Sequence, residues 1–196
     1  MVFTGRPNAG KSSIIRAVVG LDVTTGKRPG TTRRTSKYPL NDGLVLVDMP
    51  GFGRMIGAPK RLENRINVRI IRFFEFNAQN IVLAVHVLDT STFLEVTWRL
   101  EKKGVLSVDV EMAQFLAKTL GEFPLVAANK IDKADKKKID ANLKEFMHRI
   151  SNGNLSAVAD YVFPVSAKTR DGLGALKSAI HERLVAKGYR TPFKTH

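Results

Sequence analysis

Cysteine is absent from this 196-residue sequence, and aromatic residues are sparse, with one tryptophan and three tyrosines. Without cysteine, the chain has no disulfide framework, no thiolate metal site and no cysteine nucleophile. It also lacks an apolar run long enough to span a membrane, since the stretch at 81–88 is short and interrupted by His86. Residues 1–5 show neither the basic nor the apolar segment of a secretory signal. We therefore expect a soluble, cytoplasmic protein without a membrane partner.

Acidic residues are also few, with 18 Asp and Glu against 32 Lys and Arg, which gives a formal net charge of +14. Such a surface attracts polyanions, of which nucleic acid is the commonest in a cytoplasm. The alternative is that the charge serves solubility, or life at high salt or temperature. The length and a hydrophobic content of 43% suit a single domain. We assign residues 1–188 to it and 189–196 to a short basic tail, and we expect a monomer.

Short apolar runs alternate with helical patterns along the chain. The runs are nearly continuous, which is typical of strands buried on both faces, and they lie at 44–47, 81–85, 125–128 and 162–165. Apolar residues recur at helical spacing within 12–20, 62–73, 112–120, 139–150 and 173–184. This alternation predicts an α/β fold with a mostly parallel sheet and helices on both faces. Ligands of such sheets bind beyond the carboxyl ends of the strands.

A phosphate-binding motif follows the short apolar run Val2-Phe3 and opens the first helical pattern. Its G-x-x-x-x-G-K-[ST] positions are Gly5, Arg6, Pro7, Asn8, Ala9, Gly10, Lys11 and Ser12, and we include Ser13 among the binding residues. The glycines let the backbone wrap a phosphate, whose charge is met by N–H groups at the helix N-terminus. Lys11 would reach the β- and γ-phosphates, and the Ser12 hydroxyl would bind Mg²⁺. The motif predicts a nucleoside triphosphate site.

The sequence Asp48-Met49-Pro50-Gly51 ends the apolar run at 44–47. A carboxylate at this position can hold the Mg²⁺ shell, and the glycine N–H can meet a γ-phosphate. Taken alone, a polar residue before a Pro-Gly turn is common. Its position after a phosphate-binding loop favours the metal-binding interpretation of Asp48 and the phosphate-binding interpretation of Gly51.

Two polar strings follow the later strands and fit a guanine base. Asp132 can accept hydrogen bonds from the two donors on the guanine edge, Asn129 can bond the purine edge, and the Lys130 stem can lie over the ring. The second string is Ser166-Ala167-Lys168, in which the Ala167 N–H would meet the guanine oxygen. A wrong base would leave these polar groups unpaired, so the site would select guanine strongly. Either string alone could be an ordinary polar loop.

With these motifs in this order, together with residues 27–33 (KRPGTTR) and Asp48 to Gly53, the sequence resembles the EngB/YihA-type GTPases, in particular their archaeal branch. The resemblance covers residues 1–188, although Era, EngA-type and tRNA-modifying MnmE-type GTPases share most of the motifs. It implies a Ras-like G domain with a six-stranded sheet, whose single antiparallel edge strand would lie at 36–40. It also implies a role in maturing the large ribosomal subunit. Thr32 is the position of the switch I threonine, which would bind Mg²⁺ only in the GTP state.

The residue after Gly51 departs from the Ras-like pattern. Ras-like enzymes place a water-orienting glutamine there, whereas this chain has Phe52, so we expect slow intrinsic hydrolysis. The resemblance makes Asn8 a candidate for coordinating K⁺ near the phosphates, where a cation would stabilise developing charge. The alternative is that Asn8 merely suits the turn. The catalytic residues would then be Lys11, Thr32, Gly51 and Asn8. Two rival functions are a GTP-sensing scaffold with little turnover and a switch for another cargo, such as tRNA modification or a membrane process.

Positive charge concentrates in two places. One is the expected switch I, which Lys27, Arg28, Arg33, Arg34 and Lys37 surround. The other is the helix that follows switch II, which would begin at Gly51 and run into the helix around Lys60. On this helix, Arg61, Arg65, Arg69 and Arg72 form a stripe beside the core-facing Leu62, Ile66, Ile70 and Phe73. We hypothesise that both contact ribosomal RNA phosphates, the alternative being a solvated face. For Lys136–Lys138 and for the C-terminal residues Arg183, Lys187, Arg190 and Lys194, we favour the solvated interpretation. The histidines show no metal-ligand spacing. We expect His86 in the core, and Trp98 and the phenylalanines in core or loop packing, with no base-stacking array.

Overall fold

The computed structural model describes residues 1–21, 35–53 and 59–190. Thr32, the basic residues of 27–34 and Lys194 lie outside these ranges. The strands are β1 (Val2–Gly5), β2 (Ser36–Pro39), β3 (Val45–Asp48), β4 (Ala84–Asp89), β5 (Leu125–Asn129) and β6 (Val162–Pro164). The helices are α1 (Lys11–Val19), α2 (Lys60–Asn77), α3 (Phe93–Glu101), α4 (Val108–Leu120), α5 (Lys136–Ile150) and α6 (Leu173–Ala186).

The described strands form one six-stranded sheet in the order β2-β3-β1-β4-β5-β6. All neighbouring pairs are parallel except β2 and β3, which are antiparallel, as the resemblance implied. The residues of β2 alternate between half-buried and exposed, and Pro39 is tolerated there because one side of an edge strand needs no ladder hydrogen bond. In contrast, β1 and β5 are buried throughout, which explains their apolar runs Val2-Phe3 and Leu125 to Ala128.

Helices cover both faces of the sheet, as the alternating pattern predicted. On one face, α1 and α6 bury Ile14, Ile15, Leu176 and Ile180. On the other face, α2 and α4 bury Ile66, Ile70, Phe74 and Met112. Beside them, α3 and α5 meet through the rings of Phe93 and Phe146, which pack edge to face with centroids 5.3 Å apart. The parallel strands therefore end along one edge between two packed layers. Gly5, Asp48, Asp89 and Asn129 close β1, β3, β4 and β5 at that edge.

The structure shifts the start of one strand and adds one helix to the predicted elements. The strand predicted from the apolar run at 81–85 starts too early. Residues 78–80 form a 3₁₀ turn, and β4 begins only at Ala84. Helix α3 was not predicted, because its buried residues are only Phe93 and Thr97, too few to give a helical apolar pattern. Within the described ranges, no helix is both long and apolar enough to cross a bilayer.

Two aromatic side chains lie on the surface rather than in the core or in loop packing. Trp98 is 56% exposed on α3, and Phe76 is 81% exposed near the end of α2. The core prediction is therefore wrong for both residues. It is confirmed for His86, which is 1% exposed.

Candidate functional site

The glycine-rich loop runs from the end of β1 to the start of α1 and requires glycine at both ends. Gly5 has φ +149°, and a Cβ there would lie 2.3 Å from the carbonyl oxygen of Val87 on β4. Gly10 has φ +99°, and its Cβ would lie 2.3 Å from the side-chain nitrogen of Asn129. The backbone can thus approach its neighbours only without a side chain. Within the described chain, Gly10 offers α1 no side-chain cap, so N–H groups of the first turn remain free for an anion.

Lys11 and Asp48 place two buried charges below this loop. Burial lowers the pKa of Lys11, and the charge of Asp48 opposes that shift. Burial likewise raises the pKa of Asp48, and the charge of Lys11 opposes it. Each charge is therefore only partly compensated by the other. Buried charges in this condition are costly unless a ligand completes their interactions.

One carboxylate oxygen of Asp48 has no hydrogen-bond partner among the described residues, which indicates the kind of ligand that would fit beside Lys11. The Oδ1 atom of Asp48 is buried and accepts no hydrogen bond from the described residues. No group of three or more His, Cys, Asp or Glu side chains in the described ranges could hold a metal ion by itself. A cation here would take one carboxylate from Asp48 and further oxygens from a bound molecule and from water. That donor set fits Mg²⁺, which is commonly bound through one or two carboxylates plus substrate phosphates.

The segment after β3 is fastened to the phosphate-binding loop. A Cβ on Gly51 would lie 2.7 Å from the backbone nitrogen of Pro7, so the two backbones touch. The Phe52 N–H donates to the carbonyl oxygen of Gly5 at 3.1 Å. The Gly53 N–H donates to Oδ1 of Asn67 on α2 at 3.0 Å. The side chain of Phe52 packs against the apolar cluster beneath α2 and α4. Direct contacts therefore join the phosphate-binding loop, residues 51–53 and α2.

Asn129 joins the two loops that flank the predicted base site. Its Nδ2 donates to the carbonyl oxygen of Ala9 at 2.9 Å, and its Oδ1 accepts from the Ala167 N–H at 3.0 Å. The structure therefore brings Asn129 and Ala167 together, and here they bond to each other. Lys130, at φ +70°, directs its amine to Asp89 at 2.6 Å. The Ser91 hydroxyl donates to the other oxygen of Asp89 at 2.7 Å.

Asp132 is exposed and is oriented by Ser166. The Ser166 hydroxyl donates to Oδ1 of Asp132 at 2.7 Å and accepts from the N–H groups of Lys168 at 3.2 Å and Thr169 at 3.0 Å. The hydrogen bond from Ser166 is the main cause that lowers the pKa of Asp132, and the charges of Lys168 and Lys133 act in the same direction. Asp132 is therefore ionised at neutral pH and can accept further N–H donors.

Sequence reasoning missed a buried network behind the loop. Nε of Arg6 donates to Oδ2 of Asp109 at 2.5 Å, and Nε2 of His86 lies 3.3 Å from Oδ1 of the same carboxylate. Burial raises the pKa of Asp109, but the hydrogen bond from His86 and the charge of Arg6 outweigh it, so the pKa is lowered overall. In the sequence, Asp109 looks like an ordinary acidic residue of a helix start, and nothing links it to Arg6.

The remaining predicted residues are placed as follows. Asn8 is exposed at φ +65°, a conformation that asparagine tolerates. Ser12 is partly buried and Ser13 exposed, both in the first turn of α1. The described part of the site thus gathers the phosphate-loop, Asp48 and base-site residues at one edge of the sheet.

Comparison with known proteins agrees with this arrangement. The model of the family described as 50S ribosome-binding GTPase matches residues 1–130. A probable GTP-binding protein EngB from Methanopyrus kandleri is 42% identical, with 96% of this chain and 94% of the relative covered. The Pyrococcus horikoshii protein of the same name is 39% identical, with 93% and 82% covered. A crystal structure of a probable GTP-binding protein EngB superposes with a TM-score of 0.81 at 36% identity, covering 94% of this chain and 98% of that one. The chain therefore belongs to the EngB-type GTP-binding proteins, within the 50S ribosome-binding GTPase family.

Proposed function

We propose that this protein binds GTP with Mg²⁺, hydrolyses it to GDP and phosphate, and uses the bound nucleotide to control its association with a maturing large ribosomal subunit. The observation that carries the nucleotide part is the pair of buried charges on Lys11 and Asp48, with Oδ1 of Asp48 unpartnered below the glycine-rich loop. A phosphate and a cation would complete the interactions of both groups.

In this proposal, the chain holds the phosphates and acts by positioning and charge stabilisation. Backbone N–H groups within residues 5–13, where only Pro7 has none, would surround the phosphates, and Lys11 would donate to the β- and γ-phosphates. Asp48, Ser12 and Thr32 would hold Mg²⁺, which neutralises phosphate charge when bound. The Gly51 N–H would meet the γ-phosphate, and a water molecule would be the nucleophile.

Intrinsic hydrolysis is expected to be slow, because Phe52 stands where Ras-like enzymes have a water-orienting glutamine. The ring packs on an apolar cluster and has no polar atom to offer a water molecule. The test is phosphate release from GTP by the wild type, with Lys11→Ala and Asp48→Ala as controls. We expect slow release by the wild type and none above background by the variants. Equal release by all three proteins would contradict the proposal.

Asn8 would coordinate K⁺ close to the phosphates, as its exposed position at φ +65° in the loop permits. We expect GTP turnover to be faster in KCl than in NaCl at equal ionic strength, and Asn8→Ala to abolish the difference. A residue that only suits the turn would give equal rates in the two salts. That result would remove K⁺ from the proposal.

The base site would select guanine through Asp132, whose ionised carboxylate can accept from both N–H groups of the guanine edge. Ser166 and Lys168 would hold that loop, while Asn129, Lys130 and Ala167 would contact the ring. Competition between labelled GTP and unlabelled ATP tests this assignment. Displacement by equimolar ATP would contradict it, since a wrong base would leave the polar groups of the site unpaired.

The ribosomal part rests on family membership and on charge. Arg61, Arg65, Arg69 and Arg72 are exposed on α2, and none of them forms a salt bridge with another described residue. In contrast, Lys136 pairs with Asp140 at 2.7 Å, and Arg183 and Lys187 both pair with Glu122, which supports the solvated interpretation of those residues. Charge reversal at Arg65 and Arg69 should weaken subunit binding, with Lys136→Glu as the matched control. Unchanged affinity would show that the arginine stripe does not contribute to subunit binding.

A second candidate is a GTP sensor that binds nucleotide without useful turnover, which Phe52 specifically favours. Single-turnover hydrolysis measured with and without large ribosomal subunits separates the two. Acceleration by the subunit supports the hydrolytic switch, whereas no hydrolysis under either condition supports the sensor.

A further inference from the structure

We infer that α2 presents a combined surface for RNA that carries an unpaired base, with the stripe of Arg61, Arg65, Arg69 and Arg72 on the phosphates and the ring of Phe76 stacked on the base. The inference rests on the proposed RNA partner. It goes beyond that proposal because it assigns base stacking to Phe76 and requires RNA with an unpaired base. We call these five residues the α2 surface.

Helical geometry places Phe76 in line with the arginines. At about 100° per residue, the direction of Phe76 lies within roughly 40° of those of Arg65, Arg69 and Arg72. At about 1.5 Å per residue, the distance along the axis from Arg61 to Phe76 is roughly 22 Å, enough for several nucleotides. The ring therefore stands at the end of the cationic stripe, on the same side of the helix.

Packing does not explain an aromatic ring at this position. The buried side of α2 is supplied by Ile66, Ile70 and Phe74, and Phe74 packs edge to face on both Phe73 and Phe115. Phe76 is 81% exposed, more than any other large apolar side chain in the described ranges. A single exposed apolar side chain is common on protein surfaces. What distinguishes Phe76 is its place at the end of four exposed arginines that form no salt bridge with another described residue.

The charge of the α2 surface favours a polyanion as its occupant. The stripe holds four guanidinium groups, while the acids on α2 are Glu63, which already has a partner, and Glu75. Guanidinium groups suit phosphate, and aromatic rings stack on nucleobases without sequence preference. A continuous A-form duplex keeps its bases stacked: its major groove is too narrow for side chains, and its wide minor groove shows base edges and 2′-hydroxyls rather than base faces. The ring of Phe76 therefore needs RNA with an unpaired base.

Trp98 provides a matched comparison on the same protein. It is also an exposed aromatic residue on a helix, but α3 packs against α5 rather than beside α2. The neighbouring cation Arg99 is already paired with Glu95 at 2.8 Å. An exposed aromatic ring without a free cationic stripe should contribute little to RNA binding.

The experiment measures binding of the full chain to a labelled single-stranded RNA and to the same sequence as a duplex, over a series of KCl concentrations. We expect Phe76→Ala to weaken single-strand binding about 5- to 100-fold without changing the salt slope. Arg69→Gln should instead reduce that slope by about 0.7. Phe76→Tyr should restore affinity, and Trp98→Ala should have no effect. Thermal melting confirms that the variants fold.

Three results would overturn the inference: an unchanged affinity of Phe76→Ala, an equal loss on the duplex, or an equal loss caused by Trp98→Ala. A direct readout uses Phe76→Trp in a Trp98→Phe background, which leaves one tryptophan. Stacking predicts that single-stranded RNA quenches its fluorescence and that the duplex does not. Quenching by both or by neither would contradict stacking.

Subunit sedimentation of the same variants separates this inference from the ribosomal proposal. If the wild type binds the large subunit and Phe76→Ala binds equally well, stacking fails and the ribosomal role stands. If Phe76 supports binding to single-stranded RNA but the subunit is not bound, the ribosomal role fails and the RNA contact stands. If Phe76→Ala weakens subunit binding but not binding to naked RNA, the ring contacts a protein and the inference is wrong.

Discussion

Asp109 offers a sharp test of how the phosphate-binding loop is held. Its carboxylate is 2% exposed and is shared between Nε of Arg6, at 2.5 Å, and Nε2 of His86, at 3.3 Å. Removing one partner of a buried ion pair costs about 3–5 kcal/mol, because the other charge is left without compensation. The Arg6 side chain is 19% exposed and can recover some hydration. We therefore expect Asp109→Ala to lower the free energy of unfolding by about 3 kcal/mol.

Urea denaturation of the wild type and the variant measures this loss. The matched control is Asp135→Ala, since Asp135 is an exposed helix-capping acid that accepts from the Lys138 N–H at 2.9 Å. Its loss should cost only about 1 kcal/mol. Arg6→Ala should cost much less in the Asp109→Ala background than in the wild type, because the pair is already broken. Purely additive effects, or a loss below about 1 kcal/mol for Asp109→Ala, would refute the argument.

The same network predicts a pH dependence. The pKa of Asp109 is lower in the folded protein than its ordinary value, so the unfolded chain binds the proton more readily. The stabilisation is therefore fully present above about pH 4 and is lost as the pH falls through the folded-state pKa. Asp109→Asn should flatten the decline of stability below pH 4. An unchanged decline would show that other carboxylates cause it.

Further predictions concern the ligand site and the core. Lys11→Ala should weaken nucleotide binding by about 3 kcal/mol, or roughly 100-fold, measured by calorimetry, and unchanged affinity would place the phosphates elsewhere. Asp132→Asn should weaken GTP binding and improve binding of xanthosine triphosphate, because an amide N–H can meet the 2-carbonyl of xanthine; parallel losses for both nucleotides would contradict the assignment. Phe74→Ala should cost about 3–5 kcal/mol in urea denaturation, and the exposed Phe76→Ala less than about 0.5 kcal/mol. Similar costs would contradict the assigned helical phase of α2.

Much of the fold could be predicted because buried parallel strands and the phosphate-binding loop have local signatures. The apolar runs ending at Val47 and Ala128 lie in β3 and β5, and Gly5 to Ser12 connects β1 and α1 as expected. In contrast, α3 has too few buried residues to give a pattern. The exposure of Phe76 could have been predicted from its position on α2, because Ile66, Ile70 and Phe74 define the buried side of the helix. The residue type alone suggested burial.

The sequence names the candidate site residues but not the contacts between them. Motif spacing identifies Asn129 and Ala167, yet their mutual hydrogen bond depends on where β5 and β6 end in space. The pairing of Arg6 with Asp109 joins residues 103 positions apart, and no local pattern encodes it. Burial of Lys11 and Asp48, which shifts both pKa values, likewise follows from the packed sheet rather than from the motif.

Sedimentation of this protein with large ribosomal subunits, in GDP or in a non-hydrolysable GTP analogue, distinguishes a nucleotide-controlled switch from simple charge attraction. Salt must be held fixed near physiological strength, because a chain of net charge +14 binds RNA non-specifically when ions are few. The account predicts binding with the GTP analogue only, and loss of that binding when Arg65 and Arg69 are reversed to glutamate. Equal binding with either nucleotide, fading together as salt rises, would contradict the nucleotide-controlled switch and reduce the interaction to charge attraction.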